Sequence, residues 1–356
     1  MLFRFIIALP MMVCLCWGVF FLIRLFTRSA ELRVSVMLLL FYAVAAVLYA
    51  DHWIYFSDVR SAAAEYSYFV VNLCVYPLYY AYLRALTRTE RDPEVALLLL
   101  PAALVAIFFP IASMRDDLTK ETLSFFARIC FAFQVIWVWV RGYRLLRHTQ
   151  QRMDNTYSDD RSRLLQPTHI MLQLFGFTSA VSMLLNIIGR EFFAEGLHVS
   201  VPAIVMSVLL YGLGFTAAHT SVPADTVTEE PNTVSSEDSD LLMQHIEQTM
   251  REQALFTNSH LTIQDLAAAV NSNRTYVSNA INRNCALSFS QYVARFRVEY
   301  AQTILRDPQY TSDHEAIAQA IACSGFTSDQ NFYRVFKDLT GTTPLHYRQQ
   351  NKIVVS

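Results

Sequence analysis

Long apolar runs dominate the first part of the chain and then stop. Before residue 220, stretches of about 20 mostly apolar residues recur, the length a helix needs to cross roughly 30 Å of hydrocarbon. The pattern predicts seven spans: Phe5 to Leu25, Val34 to Ile54, Tyr66 to Leu86, Val95 to Ala112, Leu123 to Val140, Thr168 to Ile188 and Leu197 to Ala217. The third contains Asn72 and Pro77 and the sixth Gln173 and Asn186, so these two are the least uniform. From residue 241 apolar residues instead recur three and four apart, the period of amphipathic helices. Between the two patterns lies SVPADTVTEEPNTVSSEDSD, residues 221–240, which is acidic and has no aromatic residue. Such a segment cannot build a core and is expected to be disordered coil, spanning about 25 to 30 Å. The expected fold class is all-α, in three parts: a membrane domain at 1–220, a linker at 221–240 and a helical domain at 241–356.

The short helices of the last part carry their own punctuation. LTIQDLAAAV opens on Thr262 with Asp265 three residues later, a capping box, and places Leu266 and Val270 on one face. RTYVSNAIN follows a tight turn and buries Val277 and Ile281. SFSQYVARFRVEYAQTILR is one long helix with Ser288 and Gln291 as a second box, ending before Pro308. SDHEAIAQAIACSG repeats the first arrangement: Ser312 and Glu315 form a third box, Ile317 and Ile321 face inward, and Gly325 closes the helix in a left-handed conformation. SDQNFYRVFKDL is expected to bury Phe332, Phe336 and Leu339, leaving Asp329, Gln330, Asn331 and Arg334 opposite them. Thr343 and Pro344 start a short closing helix. The result is two helix-turn-helix units joined by a long helix.

Composition sharpens the first half of this picture. Hydrophobic residues make up 54% and charged residues only 16% of the 356, and the excess lies in the expected spans. The first apolar run is too long for a signal peptide and lacks a small-residue cleavage pattern, so it is expected to be a retained helix. The six cysteines show no disulfide or metal-ligand spacing, so no metal or cofactor is expected. Orientation follows from the basic residues of the loops. Arg24, Arg28, Arg33, Arg84, Arg88, Arg91, Arg141, Arg144, Arg147, Arg152, Arg161 and Arg163 lie in one set of alternate loops, and only Arg60, Arg115, Lys120 and Arg190 in the other. Basic residues are retained inside. The expected localisation is the bacterial inner membrane, with the N-terminus outside and the tail in the cytoplasm. Polar side chains within spans are functional candidates by their cost. Asp51, His52, Asn72, Arg128, Gln134 and Asn186 are the candidates for sensing a signal ligand, with helix packing as the alternative role.

At this point the tail resembles the AraC/XylS family of bacterial transcription regulators. The resemblance rests on Ile317, Ala318, Gly325, Phe326, Phe332, Arg334, Phe336, Lys337, Gly341, Thr343, Pro344, Tyr347 and Arg348, and covers residues of about 250 to 350. It implies that the second helix of each unit enters the DNA major groove, the two lying about 34 Å apart on one face of the duplex. The base-reading positions implied are Thr275, Ser278 and Asn279 in the first unit and Gln330, Asn331 and Arg334 in the second. Arg can pair with guanine O6 and N7, and Asn or Gln with adenine N6 and N7. Arg274, Arg283, Lys337 and Arg348 are assigned to phosphates. Promoter DNA, RNA polymerase, membrane lipid, a second copy of the chain and a signal ligand are the partners implied.

Two departures stand out. Ala286 occupies a turn where the family has glycine, and the tail from residue 241 carries ten Lys and Arg against nine Asp and Glu, so its grip on DNA is expected to be modest. Two alternative functions compete with this reading. A transporter or channel with a regulatory tail would suit the polar residues in the spans, but no repeated half accompanies them. A membrane enzyme would need a nucleophile elbow, phosphate loop or metal cluster, and the sequence has none, so no catalysis is expected.

Overall fold

The computed structural model describes residues 2–27, 31–55, 62–88, 93–113, 117–188, 197–220, 222 and 236–351. Among these the regular structure is helical, apart from one antiparallel bridge between Tyr157 and Thr262. The chain divides into two compact units, Met1–Arg147 with Leu165–Ala224, and His148–Leu164 with Asp225–Ser356.

The first unit is built from α1 (Leu2–Thr27), α2 (Leu32–Tyr55), α3 (Ala62–Leu86), α4 (Glu94–Ser113), the first 31 residues of α5 (Asp117–Thr156), α6 (Gln166–Ile188) and α7 (Leu197–His219). Among the described residues six helices, all but α6, are long and apolar enough to cross a membrane. The α6 side chains are described only as far as residue 181, so the seventh expected span lies partly outside the described residues. Its direction is nonetheless clear. Trp17 of α1 meets Tyr211 of α7 with ring centroids 5.8 Å apart, and further along both helices Arg24 donates to Ala218 O at 3.5 Å, so α1 and α7 run parallel. A Cβ on Gly142 of α5 would lie 3.2 Å from Leu172 Cδ2, and one on Gly176 of α6 would lie 3.0 Å from Trp139 Cδ1, so α6 runs antiparallel to α5.

Leu97, Ile107, Phe125, Ile136, Phe177 and Val208 are each 60% exposed or more, an apolar exterior suited to lipid rather than water. Inside, Phe21, Phe41, Tyr42, Tyr79 and Tyr82 are fully buried. The Tyr42 hydroxyl donates to Leu210 O at 2.8 Å, satisfying a polar tip that hydrocarbon would leave unpaired. Glu94 accepts from Tyr80 Oη at 2.8 Å, forms an ion pair with Arg141 and lies 3.8 Å from Arg84, so these charges meet where the end of α3, the start of α4 and the interior of α5 come together.

Of the sensing candidates, Asp51 is buried, with Oδ2 unpartnered among the described residues. His52 Nδ1 is 2.9 Å from Leu48 O, and its ring meets Tyr68 edge-on. Gln134 is buried and donates to Leu98 O at 2.6 Å, which tightens α5 against α4. Asn72 is half-buried in α3, and Arg128 is exposed on α5. The Asn186 side chain and residues Arg28, Arg60, Arg91, Arg115 and Arg190 lie outside the described residues, as does most of 221–240.

In the second unit, α8 (Ser236–Glu252) begins inside the segment expected to be coil. It is followed by a 3-10 turn (Leu255–Thr257), α9 (Ile263–Ala269), α10 (Arg274–Cys285), α11 (Phe289–Arg306), α12 (Asp313–Cys323), α13 (Asp329–Thr340) and α14 (Pro344–Asn351). Two cores form. The first takes Ile246 and Met250 of α8, Leu266 of α9, Val277 and Ile281 of α10, and Phe289, Tyr292, Val293 and Phe296 of α11. The second takes Val298, Ala301 and Leu305 of the same α11, with Ala316, Ile317 and Ala320 of α12 and Phe332 and Phe336 of α13. One 18-residue helix, about 27 Å long, therefore serves both cores with its two halves.

The caps follow the local chemistry, with one exception. Thr262 with Asp265 and Ser288 with Gln291 form complete capping boxes, and Thr343 Oγ1 accepts from His346 N at 3.3 Å. Ser312 makes no side-chain cap bond, correcting the third box; the first turn of α12 commits Asp313 to Arg348 instead. Leu339, expected in the core, is 49% exposed, because α13 runs past the edge of the second core. Ala286 ends α10 with φ 54°, the left-handed conformation that glycine adopts without penalty. Replacing Ala286 with Gly should stabilise the unit by about 0.5 to 1 kcal/mol, the left-handed penalty less the added chain entropy. A rise in the denaturant midpoint for proteolysis of the full-length chain in detergent would show it, and a fall would contradict the strain.

Candidate nucleic-acid interface

The second helix of each unit is held from behind by apolar residues, which fixes what it presents in front. In α10, Val277, Ala280 and Ile281 are buried, and Thr275, Ser278 and Asn279 are half-buried on other faces. Asn273 caps this helix by accepting from Tyr276 N at 2.8 Å. Arg274 is half-buried at its start and Arg283 exposed in its last turn. Asn282 Nδ2 reaches Ser278 Oγ at 3.4 Å, a weak link along the outer surface.

In α13, Phe332 and Phe336 are fully buried and stack edge-on with Phe326 and Tyr347 respectively. Ser328 caps the helix by accepting from Asn331 N at 3.3 Å, and Gly341 ends it at φ 76°. Gln330, Tyr333 and Lys337 are exposed, and with Arg334 they form one surface at the three- and four-residue spacing of a helix face. Tyr333 belongs to this surface although it was not singled out; its place three residues after Gln330 is the signal that identifies it.

Two expected DNA-contacting residues are corrected. Asn331 is 9% exposed, and its Oδ1 accepts from Arg334 Nη2 at 2.7 Å, so it positions the arginine instead of standing free on the outer face. Its place directly before Phe332 turns it partly toward the core. Arg348 is fully buried. Its guanidinium donates to Asp313 Oδ1 at 2.9 Å, to Leu305 O at 2.8 Å and to Tyr310 O, tying α14 to α11 and the start of α12. A side chain with no exposed surface cannot meet a phosphate, so its role is architectural.

The structure also gives weight to a residue that the sequence reading passed over. Arg297, in the middle of α11 between the two cores, is 1% exposed. Its Nε donates to Phe256 O at 2.8 Å, Nη1 to Ser158 O at 3.0 Å, and Nη2 to Ser158 Oγ at 2.9 Å and Asn258 O at 2.8 Å. Burial pushes its guanidinium down to about 10, opposed by the nearby Asp159 carboxylate, so it remains charged at neutral pH.

Arg334 has the richest set of partners on the outer surface. Besides Asn331 it donates to Asp160 Oδ2 at 2.6 Å and Asp338 Oδ2 at 3.3 Å. Among the described residues no group of three or more His, Cys, Asp and Glu could hold a metal ion.

The comparisons agree with this geometry. A family model described as "Helix-turn-helix domain" matches residues 266–350. The chain is 31% identical over 121 residues to the uncharacterized HTH-type transcriptional regulator YijO of Escherichia coli K12, covering 31% of this chain and 41% of that protein. It is 33% identical over 94 residues to the uncharacterized HTH-type transcriptional regulator YtdP of Bacillus subtilis, 26% of this chain and 12% of that one. The melibiose operon regulatory protein of Escherichia coli K12 is 29% identical over 89 residues, 25% of this chain and 28% of its own. The chain thus spans less than half the length of these relatives, and no solved structure matches it. Helices α9 to α14, with two cores on one shared helix, are an AraC-type helix-turn-helix domain carried at the C-terminal end of a chain whose N-terminal helices fit a membrane domain.

Proposed function

We propose that this protein is a membrane-anchored, sequence-specific DNA-binding transcription regulator whose seven-helix half receives a signal. The observation that carries the reading is the α13 surface of Gln330, Tyr333, Arg334 and Lys337, held by Phe332 and Phe336 within an AraC-type domain on a chain with an apolar, lipid-suited exterior. Gln330 and Arg334 carry groups that read adenine and guanine edges, and Lys337, Arg274 and Arg283 supply phosphate contacts. In α10, Thr275, Ser278 and Asn279 contribute shorter polar groups. The antiparallel course of α6 supports seven crossings, which bring both α1 and α7 to the same side at their C-termini. With the basic loops inside, the helix-turn-helix domain lies in the cytoplasm, where promoter DNA and RNA polymerase are met. Two copies held in one bilayer gain from raised effective concentration without a new contact.

The test is selection from fragments of the encoding genome by the full-length chain in phospholipid nanodiscs. Recovery of a shared motif is expected, and no enrichment over bulk fragments would defeat the reading. Gln330→Ala should lose about 1 to 3 kcal/mol of discrimination at one base pair, with binding to unrelated sequences nearly unchanged.

A further inference from the structure

The segment that follows α5 and leads into α6 packs as part of the second unit, and its contacts are too specific for an ordinary loop. Tyr157, Ser158, Asp159 and Ser162 are all buried. Tyr157 bridges Thr262 in antiparallel fashion, and Ser158 N donates to Leu261 O at 3.1 Å. Buried Arg297 directs Nη1 to the Ser158 carbonyl and Nη2 to the Ser158 hydroxyl. Withdrawing the segment would cost a buried cation two of its hydrogen-bond partners, so the domain is shaped to receive it. From this anchor the chain reaches the outer surface in two residues. There Asp160 accepts from Arg334 at 2.6 Å and is held from its own side by Arg163 Nε at 2.9 Å. Asp159 is in turn paired with Arg161 at 2.8 Å and lies 3.8 Å from His260.

We propose that this segment is an intramolecular lock on the DNA-reading surface, with Asp160 occupying Arg334 in place of DNA. The inference rests on the regulator reading above. A carboxylate offers a guanidinium a pair of acceptor oxygens, as a phosphate does, and it occupies the same N–H fork that would meet O6 and N7 of guanine. Arg334 Nη2 already gives its two hydrogens to Asp160 and Asn331, so a two-pronged base contact that uses it requires the Asp160 pair to open. The segment is covalently continuous with two of the apolar helices, so a change in those helices has a direct route to the lock. Arg161 and Arg163 carry the opposite charge, which favours DNA; the lock predicts that opposition by Asp160 outweighs them.

The experiment measures binding of the full-length chain in nanodiscs to a fluorescent duplex bearing the motif recovered by the genomic selection. Asp160→Asn should bind two- to fivefold more tightly, the scale of a partly exposed ion pair. Asp160→Asn combined with Arg334→Gln should bind no better than Arg334→Gln alone. Tyr157→Cys with Thr262→Cys, in a background with Cys285→Ser and Cys323→Ser, tests the docking itself: the oxidised form should bind at least tenfold more weakly than the reduced form. Equal or weaker binding by Asp160→Asn, or undiminished binding by the oxidised form, overturns the lock while leaving the regulator reading intact. Failure of every form, reduced and unlocked included, to bind any recovered motif overturns both.

Discussion

Replacing Gly325 with alanine is expected to destabilise the helix-turn-helix domain by about 2 to 5 kcal/mol, a large share of what holds a domain of this size together. Two costs combine. Gly325 sits at φ 78°, where a Cβ is penalised by about 1 to 2 kcal/mol. The added carbon would also lie 2.5 Å from Phe256 O and 2.7 Å from Thr257 O, backbone atoms that cannot swing aside. Forcing such a contact costs about 1 to 3 kcal/mol more. Gly341 supplies the control: its φ is 76°, but nothing lies within 4 Å of the position of its Cβ. Gly341→Ala should therefore cost only the backbone penalty. Denaturant titrations of both variants in the full-length chain, read by proteolysis of the C-terminal domain, separate the two terms. Equal losses would show that the close approach of α12's end to the 3-10 turn is unimportant. The contact matters because it joins the second core's helices to the first core's framework at a point other than α11.

Replacing Arg348 with lysine should cost about 2 to 4 kcal/mol. The guanidinium serves one carboxylate and two carbonyl oxygens from a fully buried position, and a lysine ammonium cannot reproduce that planar fork. Leaving buried acceptors unpaired costs about 1 to 3 kcal/mol each, and the exposed side of Asp313 recovers part of this through water. The same titration checks the prediction. If the lysine variant kept its stability and lost only DNA affinity, a phosphate contact would be indicated and the architectural role would fall.

Where local chemistry decides the structure, the residues themselves announce it. The capping pairs Thr262 with Asp265 and Ser288 with Gln291 lie three residues apart, and the core positions of α9, α10 and α12 follow the helical period. The left-handed turn at Ala286 is legible only through the family resemblance, which implies glycine at that position. Depth is harder to read. Arg348 in a short closing helix has the composition of a phosphate ligand, and only its packing reveals that it lies inside. Arg297 did leave a trace: Val293, Arg297, Ala301 and Leu305 follow at four-residue spacing, so the arginine occupies the buried stripe of α11. Its partners on the loop, 139 residues away, could not be inferred from that stripe. The Asp160 contact with Arg334 spans 174 residues, beyond any periodicity, and TYSDDRSR reads in isolation as an ordinary charged loop.

The burial of Arg297 and Arg348 has a kinetic consequence. They are two of the ten basic residues from residue 241 onward, which are set against nine acidic ones, so their burial removes the small positive excess from the surface charge available to DNA. A soluble regulator finds its operator by gripping DNA loosely and gliding along it, which requires a positive surface. On the membrane-anchored reading proposed above, the protein would have no freedom to glide, and a sticky surface would only detain whichever stretch of chromosome drifted past. On the same reading, a nearly neutral surface would let each passing segment leave quickly, leaving residence time to the groove contacts of the matching sequence.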